Sequence, residues 1–293
     1  MDAEPTAPLT ELFTESDMPE PRALRFAGGI AVAFAHRSPT KDTPNEDSLG
    51  LLDAGERGSV LLLADGAGGH ADGALASKLA VTALRDSVLA ALAQERDIRD
   101  GILDGFELAN RAVAQGTHGG VTTMIAAELR DGHARIYHAG DSMAVLTGLR
   151  GRIKHCSTAH SPTGYAVEAG VLDETSALHH RDRHVISNAL GVEGMHIEIG
   201  PALQLATQDT LVLASDGLFD NLTVPEIVAR ARGGSAREAV NDLVTLCRER
   251  MAGIGGARAP SKPDDLSVLL WRPKARHGDR AVPPRLSAPL RSR

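Results

Sequence analysis

The chain has 293 residues, 42% hydrophobic and 24% charged, a composition of globular proteins rather than of disordered, fibrous or disulfide-framed chains. The net charge of −7 is uneven: residues 1–20 hold six acids and no base, residues 272–293 hold seven bases against Asp279, and the body between them is acidic, which speaks against nucleic-acid binding by the core. No apolar run reaches the roughly 18 residues of a membrane span, the acidic start lacks the pattern of a signal peptide, and two cysteines, Cys156 and Cys247, make no disulfide framework, so a reducing cytoplasm is the expected setting.

Residues 1–22 are expected to be a disordered acidic leader. Residues 24–37 read as strand with a bend at Gly28-Gly29, and the polar SPTKDTPNED as a loop. SLGLL and VLLLAD follow as short strands around a turn with Gly55 and Gly58. Leu75, Leu79, Val81, Leu84, Val88 and Leu92 recur at helical spacings, and Asp97 is placed to cap a second helix with Ile102, Phe106, Ala109 and Val113 on its apolar face. VTTMIAAEL, HARIYHAG and MAVLTG predict three strands, with Asp131-Gly132 a hairpin turn. Residues 156–183 are polar and irregular, with at most one short helix, and read as a surface insertion. HVIS, MHIEIGP and TLVLAS predict further strands. Thr223–Glu226 and Ser235–Glu238 have the form of capping boxes, the first with Leu222 and Ile227 as a hydrophobic staple. Val240, Leu243, Val244, Cys247 and Met251 form one stripe ahead of Gly253, and DDLSVLLW predicts a closing strand. The basic tail, 273–293, is expected to be disordered. Strands do not alternate with single helices, so an α+β layered sandwich fits better than a doubly wound parallel sheet.

One pattern carries chemistry. VLLLA runs into Asp65-Gly66, RIYHAG into Asp141-Ser142 and LVLAS into Asp216-Gly217, while Asp264-Asp265 immediately precedes LSVLLW. A carboxylate at the mouth of a buried strand is costly unless something positive meets it. Four in such settings suggest acids converging on one rim, where they raise one another's pKa unless a cation binds. Hard divalent ions take oxygen ligands, including backbone carbonyls, and glycine after Asp65 lets the chain approach closely. The implied chemistry is Lewis-acid activation of water for in-line attack on phosphorus. No zinc spacing occurs; His180 and His184 read as a solvated loop. Residues 66–71, GAGGHA, match the loose dinucleotide fingerprint. Asp65 would repel the pyrophosphate, however, and at Arg85-Asp86, where a ribose-binding acid should end a strand, the chain is still in helix.

These residues resemble the metal-dependent serine/threonine protein phosphatases, the PPM or type 2C family in its bacterial form, over about residues 24–272. In order they are Asn45-Glu46-Asp47, residues 65–69 (DGAGG), residues 120–123 (GVTT), Gly140-Asp141-Ser142, residues 184–191 (HVISNALG), residues 215–220 (SDGLFD) and residues 264–268 (DDLSV). The resemblance implies a four-layer α-β-β-α sandwich with two central antiparallel sheets over residues 23–272, with a substrate-selecting flap at about 157–183. It also implies a centre for two manganese or magnesium ions, with a weaker third. Asp65 would bridge both ions, the Gly66 carbonyl would bind one, and Asp216 and Asp264 the other. Glu46 would act through water on the metal with Asp47 behind it, and Asp141 matches the acid of the third site. On this reading Asp65, Asp216 and Asp264 carry catalysis through activated water, without a covalent intermediate. The substrates implied are phosphoserine and phosphothreonine proteins made by a serine/threonine kinase, and the enzyme a monomer.

The sequence departs from the family at several positions. Asp42 stands where an Arg usually holds the phosphate, leaving Arg37 or Lys41 as candidates. Ala67 occupies a position where some members have His, so metal-bound water or His70 would protonate the leaving group. Met143, Ala159 and Asp265 replace an Arg, an acid and an Asn. The alternatives are a catalytically weak phosphoprotein-binding module, and a small-metabolite phosphatase with the same centre.

Overall fold

The computed structural model describes residues 9–67, 71–254, 256 and 259–273. The first half holds strands β1 (Leu9–Thr14), β2 (Arg22–Phe26), β3 (Gly29–His36), β4 (Asp47–Asp53) and β5 (Ser59–Ala67), then helices α1 (Ala71–Ala93) and α2 (Ile98–Gly116). Strands β6 (Val121–Thr122), β7 (Met124–Arg130), β8 (His133–Ala139), β9 (Met143–Thr147) and β10 (Ile153–Cys156) follow, and then short helices α3 (Pro162–Glu168) and α4 (Glu174–Ala177). The last part contains β11 (Glu198–Ile199), β12 (Leu203–Gln204), β13 (Thr210–Ala214), α5 (Asp216–Phe219), α6 (Val224–Ala231), α7 (Ala236–Met251) and β14 (Leu266–Pro273).

Two antiparallel sheets result. One runs β1-β4-β5-β7-β8-β11, with β12 also on β8 and β6 on β5; the other runs β10-β9-β13-β14-β3-β2. Strand alternation sorts the side chains. Leu61 and Leu63 of β5 meet Leu211 and Leu213 of β13 between the sheets, with Phe34's neighbours Ala33 and Ala35 and Trp271 in the same slab. Val60, Leu62 and Ala64 point the other way, onto Val81, Leu84, Ile102 and Phe106 of α1 and α2. Val212 and Ala214 point onto Ile227, Val240 and Leu243 of α6 and α7. Both faces of each sheet are covered, which is why the central strands read as continuous apolar runs. The order of layers is helix, sheet, sheet, helix, as expected.

The predicted caps form. Asp97 accepts from the N–H of Arg99, and both capping boxes close, Thr223 with Glu226 and Ser235 with Glu238. Asp131 and Gly132 both have positive φ, as a tight hairpin turn requires.

Several expectations are corrected. The strand expected over 24–37 is the hairpin β2–β3, turning at Ala27 and Gly28, whose φ values of 48° and 68° are both positive. The leader is not disordered throughout: residues 9–14 pair with β4 along their whole length. Phe13 enters the slab between the sheets and Leu12 packs on the α1 side, so this edge strand has apolar anchors on both faces. Residues 1–8 and the tail 274–293 lie outside the described residues. Residues 184–187 are irregular rather than a strand, and MHIEIGP contributes only the two residues of β11. The insertion holds two short helices rather than one at most, capped by Ser161 and Asp173. Finally, β5 is antiparallel to both β4 and β7, so the dinucleotide motif is not part of a β-α-β unit.

Candidate metal centre

The apolar strands deliver their terminal acids to one end of the sandwich. The β4–β5 register sets Asp47 directly opposite Asp65, a pairing of like charges that destabilises an antiparallel ladder unless something compensates. Asp141 follows β8, Asp216 opens α5 after β13, and Asp264 precedes β14. The main chain of Asp65 is held from both sides. The Thr122 hydroxyl and the Thr123 N–H donate to its carbonyl at 2.9 and 2.8 Å, and its own N–H donates to Thr123 Oγ1 at 3.0 Å. Thr123 Oγ1 in turn lies 2.7 Å from Ser142 Oγ, which links this loop to the one carrying Asp141.

Both Asp-Gly pairs have a packing reason. A Cβ on Gly66 would stand 2.0 Å from the Gly73 carbonyl oxygen, and one on Gly217 would stand 1.9 Å from that of Asp265. Glycine therefore lets the first turn of α1 and the strand entering β14 close against the acids. The Gly66 N–H also donates to the Glu46 carbonyl at 3.2 Å.

The charges are poorly balanced. Burial, and then Asp47, Asp216, Asp264 and Asp141, push the Asp65 carboxyl well above the usual range. Burial and Asp265 do the same to Asp47, against the Ser215 hydroxyl that donates to its Oδ2 at 2.9 Å. Burial, with Asp216 and Asp220, pushes Asp141 up to about 8. Asp220 and Asp264 rise to about 6, through burial first and Asp216 second. Glu46 Oε1, Asp47 Oδ1 and Asp141 Oδ1 are buried without a hydrogen-bond partner.

Among the described residues, the ion pairs to this cluster come from two lysines. Lys41 Nζ lies 2.5 Å from Glu46 Oε2, 3.3 Å from Asp265 Oδ2 and 4.0 Å from Asp264 Oδ1. Lys262 Nζ bonds Asp216 Oδ2 and lies 2.8 Å from Asp220 Oδ2 and 3.3 Å from Asp264 Oδ2. Burial works against both charges, but the surrounding carboxylates outweigh it and hold both ammonium groups strongly protonated. Two ammonium groups do not balance Glu46, Asp47, Asp65, Asp141, Asp216, Asp220, Asp264 and Asp265. All-oxygen donors, an excess of negative charge and buried oxygens without partners fit hard divalent cations.

The predicted residues Glu46, Asp47, Asp65, Gly66, Asp141, Asp216 and Asp264 are thus brought together, and Lys41 joins them. Arg37 does not. It follows the end of β3 and pairs with Asp17 at 3.4 Å instead of with the acids of the cluster, so it is not positioned as a phosphate ligand. Asp42 is exposed, so the acid in the register of the family's Arg is turned to solvent while Lys41 beside it faces the cluster. Asp265 is buried and accepts the N–H groups of Ser38 and Glu46 at 2.6 and 2.7 Å, tying the 38–46 loop to the site. His70 lies outside the described residues. Sequence reasoning missed Lys262, whose one signal was a base two residues ahead of an acid pair, and the backbone-holding role of Thr122 and Thr123. A cavity of about 470 Å³ adjoins the cluster, and its lining includes Asp141, Asp216 and Asp220 together with the apolar Met143, Val167 and Leu178.

A second polar cluster lies nearby. His138 and His160 stack with ring centroids 4.3 Å apart, and Glu198 approaches them. The N–H of Gly140 and the amide of Asn188 donate into His160 Nδ1 at 3.2 and 2.9 Å, so the proton of the neutral ring sits on Nε2 and is donated to Glu198 at 3.1 Å. His138 Nε2–H donates to the Thr158 carbonyl at 2.9 Å.

The chain is similar to known proteins over most of its length. The family model described as Protein phosphatase 2C matches residues 36–249. A serine/threonine phosphatase stp of Listeria innocua is 27% identical over 235 residues, covering 77% of this chain and 89% of the relative. Protein phosphatase PhpP of Streptococcus pneumoniae is 30% identical over 197 residues, covering 64% of this chain and 78% of the relative. The fold is similar to that of the catalytic domain of the serine threonine protein phosphatase PstP in complex with two manganese ions. That structure has a TM-score of 0.64 and 24% identity, covering 85% of this chain and 98% of the other.

Proposed function

Because the chain belongs to the protein phosphatase 2C family, we propose that it hydrolyses phosphoserine and phosphothreonine on proteins with the help of two manganese or magnesium ions. The observation that carries this reading is the cluster itself: acids from β4, β5, the β8–β9 turn, α5 and the start of β14, with Asp47 facing Asp65 and buried oxygens lacking partners. The ions, when bound, polarise phosphoryl oxygens and lower the pKa of water.

The protein's own groups do the rest. Asp65 and the Gly66 carbonyl would hold one ion, and Asp65, Asp216 and Asp264 the other. Glu46 and Asp47 each keep one buried oxygen free of hydrogen bonds, which leaves acceptor capacity unused beside the cluster. Lys41 is the candidate grip on the phosphate. Its side chain is 32% exposed, so the ammonium can turn from Glu46 toward an anion in the cleft without leaving the cluster. The apolar wall of Met143, Val167 and Leu178 beside the acids suits a polypeptide bearing the phosphorylated residue. The same reading makes the substrates products of a serine/threonine kinase, and the enzyme a cytoplasmic monomer. No helix among the described residues is long and apolar enough to cross a membrane.

Purified protein should hydrolyse p-nitrophenyl phosphate and phosphopeptides once manganese is added; no turnover at any divalent-ion concentration sinks the proposal. Phosphopeptide binding without hydrolysis would favour the non-catalytic module. Faster turnover of phosphorylated metabolites than of phosphopeptides would favour the metabolite enzyme.

A further inference from the structure

Lys262 is not held as a surface lysine is. Its backbone N–H donates to Asn221 Oδ1 at 2.8 Å, and Asn221 Nδ2 donates back to its carbonyl at 2.8 Å. Asn221 is 0% exposed, and the same amide nitrogen lies 2.9 Å from the Gly217 carbonyl, to which it also donates. The loop is thereby fastened to the segment that carries Asp216 and Asp220. Pro263 follows, which restricts residue 262 to extended backbone. The side chain, 18% exposed, projects its ammonium into a fork of three carboxylates, Asp216, Asp220 and Asp264. Asp216 and Asp220 lie four residues apart on the turn of α5, and Asp264 lies two residues beyond Lys262 on its own loop. Three oxygens from two segments around one positive charge is how a cation is bound.

Resting on the metal-centre reading above, we propose that Lys262 is a built-in cation that occupies the position beside the two-ion centre where a third divalent ion would otherwise bind. It engages Oδ2 of Asp216 and of Asp264, while Oδ1 of Asp264 accepts the Asp265 N–H at 2.9 Å. It also takes Asp220, which no other ion pair among the described residues engages. Asp141, with Oδ1 unpartnered, is the remaining acid of the set that a third ion would need. The lysine therefore limits the protein to two ions and holds the acids together before any ion arrives.

The test is a manganese titration of metal-free protein, followed by calorimetry and by the free-ion electron paramagnetic resonance signal. Wild type should bind two ions. Lys262→Met should bind three, and Lys262→Met combined with Asp141→Ala should return to two. Thermal unfolding of metal-free Lys262→Met should fall by several degrees and recover on adding manganese, because removing the ammonium leaves Asp216 and Asp220 facing each other. Lys262→Gln keeps a donor but no charge; it replaces the Met variant if that variant does not fold, and must also gain the third ion. Two ions in every variant, with unchanged affinity and metal-free melting, overturns the proposal alone. Three ions in wild type overturns it too. No manganese binding by wild type overturns the metal-centre reading, and this proposal with it.

Discussion

His138 and Asp141 stand three residues apart at the end of β8, yet they belong to clusters of opposite character. Around the histidines the partners have the fitting sense: two donors converge on His160 Nδ1, its Nε2–H reaches Glu198, and His138 donates to a carbonyl. A metal at His160 Nε2 would have to displace a proton that the two donors on the other nitrogen keep in place. Around the acids, oxygens of Glu46, Asp47 and Asp141 are buried with nothing to accept, and two aspartates face each other across a ladder. Donor atoms lie close together in both places. What separates them is whether internal hydrogen bonds use those atoms up, because a buried polar group left without a partner costs roughly 1–3 kcal/mol, and more when charged. The acids call for cations; the histidine pair is a structural joint that fixes the Gly140 turn and so the placement of Asp141.

The comparison can be broken most directly at Asp65. Asp65→Ala should lower kcat on a phosphopeptide by roughly 10³-fold or more, as expected when several kcal/mol of metal-derived stabilisation is lost. Circular dichroism should still report a folded protein. Retention of most activity would remove Asp65 from the centre. Next in size, His160→Ala should destabilise the fold by about 2–3 kcal/mol in urea titration, through lost packing and an orphaned Gly140 N–H. The number of manganese ions bound should stay the same. A lost ion would make the histidines part of the metal site.

The two clusters also respond to pH with opposite sign. Asp141 is raised to about 8, and Asp220 and Asp264 to about 6, so in metal-free protein their contribution is complete below the ordinary carboxylate range near 4 and is lost as pH rises through 6 and toward 8. His138 is held down to about 4, by burial above all, so its contribution is complete above 6.5 and is lost as pH falls toward 4. Metal-free melting temperature should therefore decline on the alkaline side, and manganese should remove that decline while leaving the acid side as it was. The same alkaline decline with manganese present would deny that ions compensate the acids. Smallest of all, Glu198→Gln should change stability by less than about 0.5 kcal/mol, because the carboxylate is nearly half exposed, and should leave manganese binding unchanged. A weakened ion affinity would mean that the glutamate serves a metal after all.

Much of this was legible in the sequence. Val60 to Ala64 announced a buried strand, the capping boxes announced α6 and α7, and four acids at strand mouths announced a charged rim. Local chemistry sets each of these, through side-chain period, helix-end hydrogen bonds and the cost of burying a charge. Register and distant contact were not legible. That Asp47 faces Asp65, that Arg37 turns out to Asp17 while Lys41 turns in, and that Leu9–Thr14 closes the edge of a sheet all depend on which segments pair. Lys262 shows the division most clearly. In the sequence it is one base in a polar loop, and the clamp of Asn221, 41 residues earlier, makes it a counter-charge for three acids. The sequence by itself determined that charge must gather at the strand ends, because each acid's burial is written beside it. Only the tertiary structure decided which cations meet that charge, because the partners come from segments far apart in the chain.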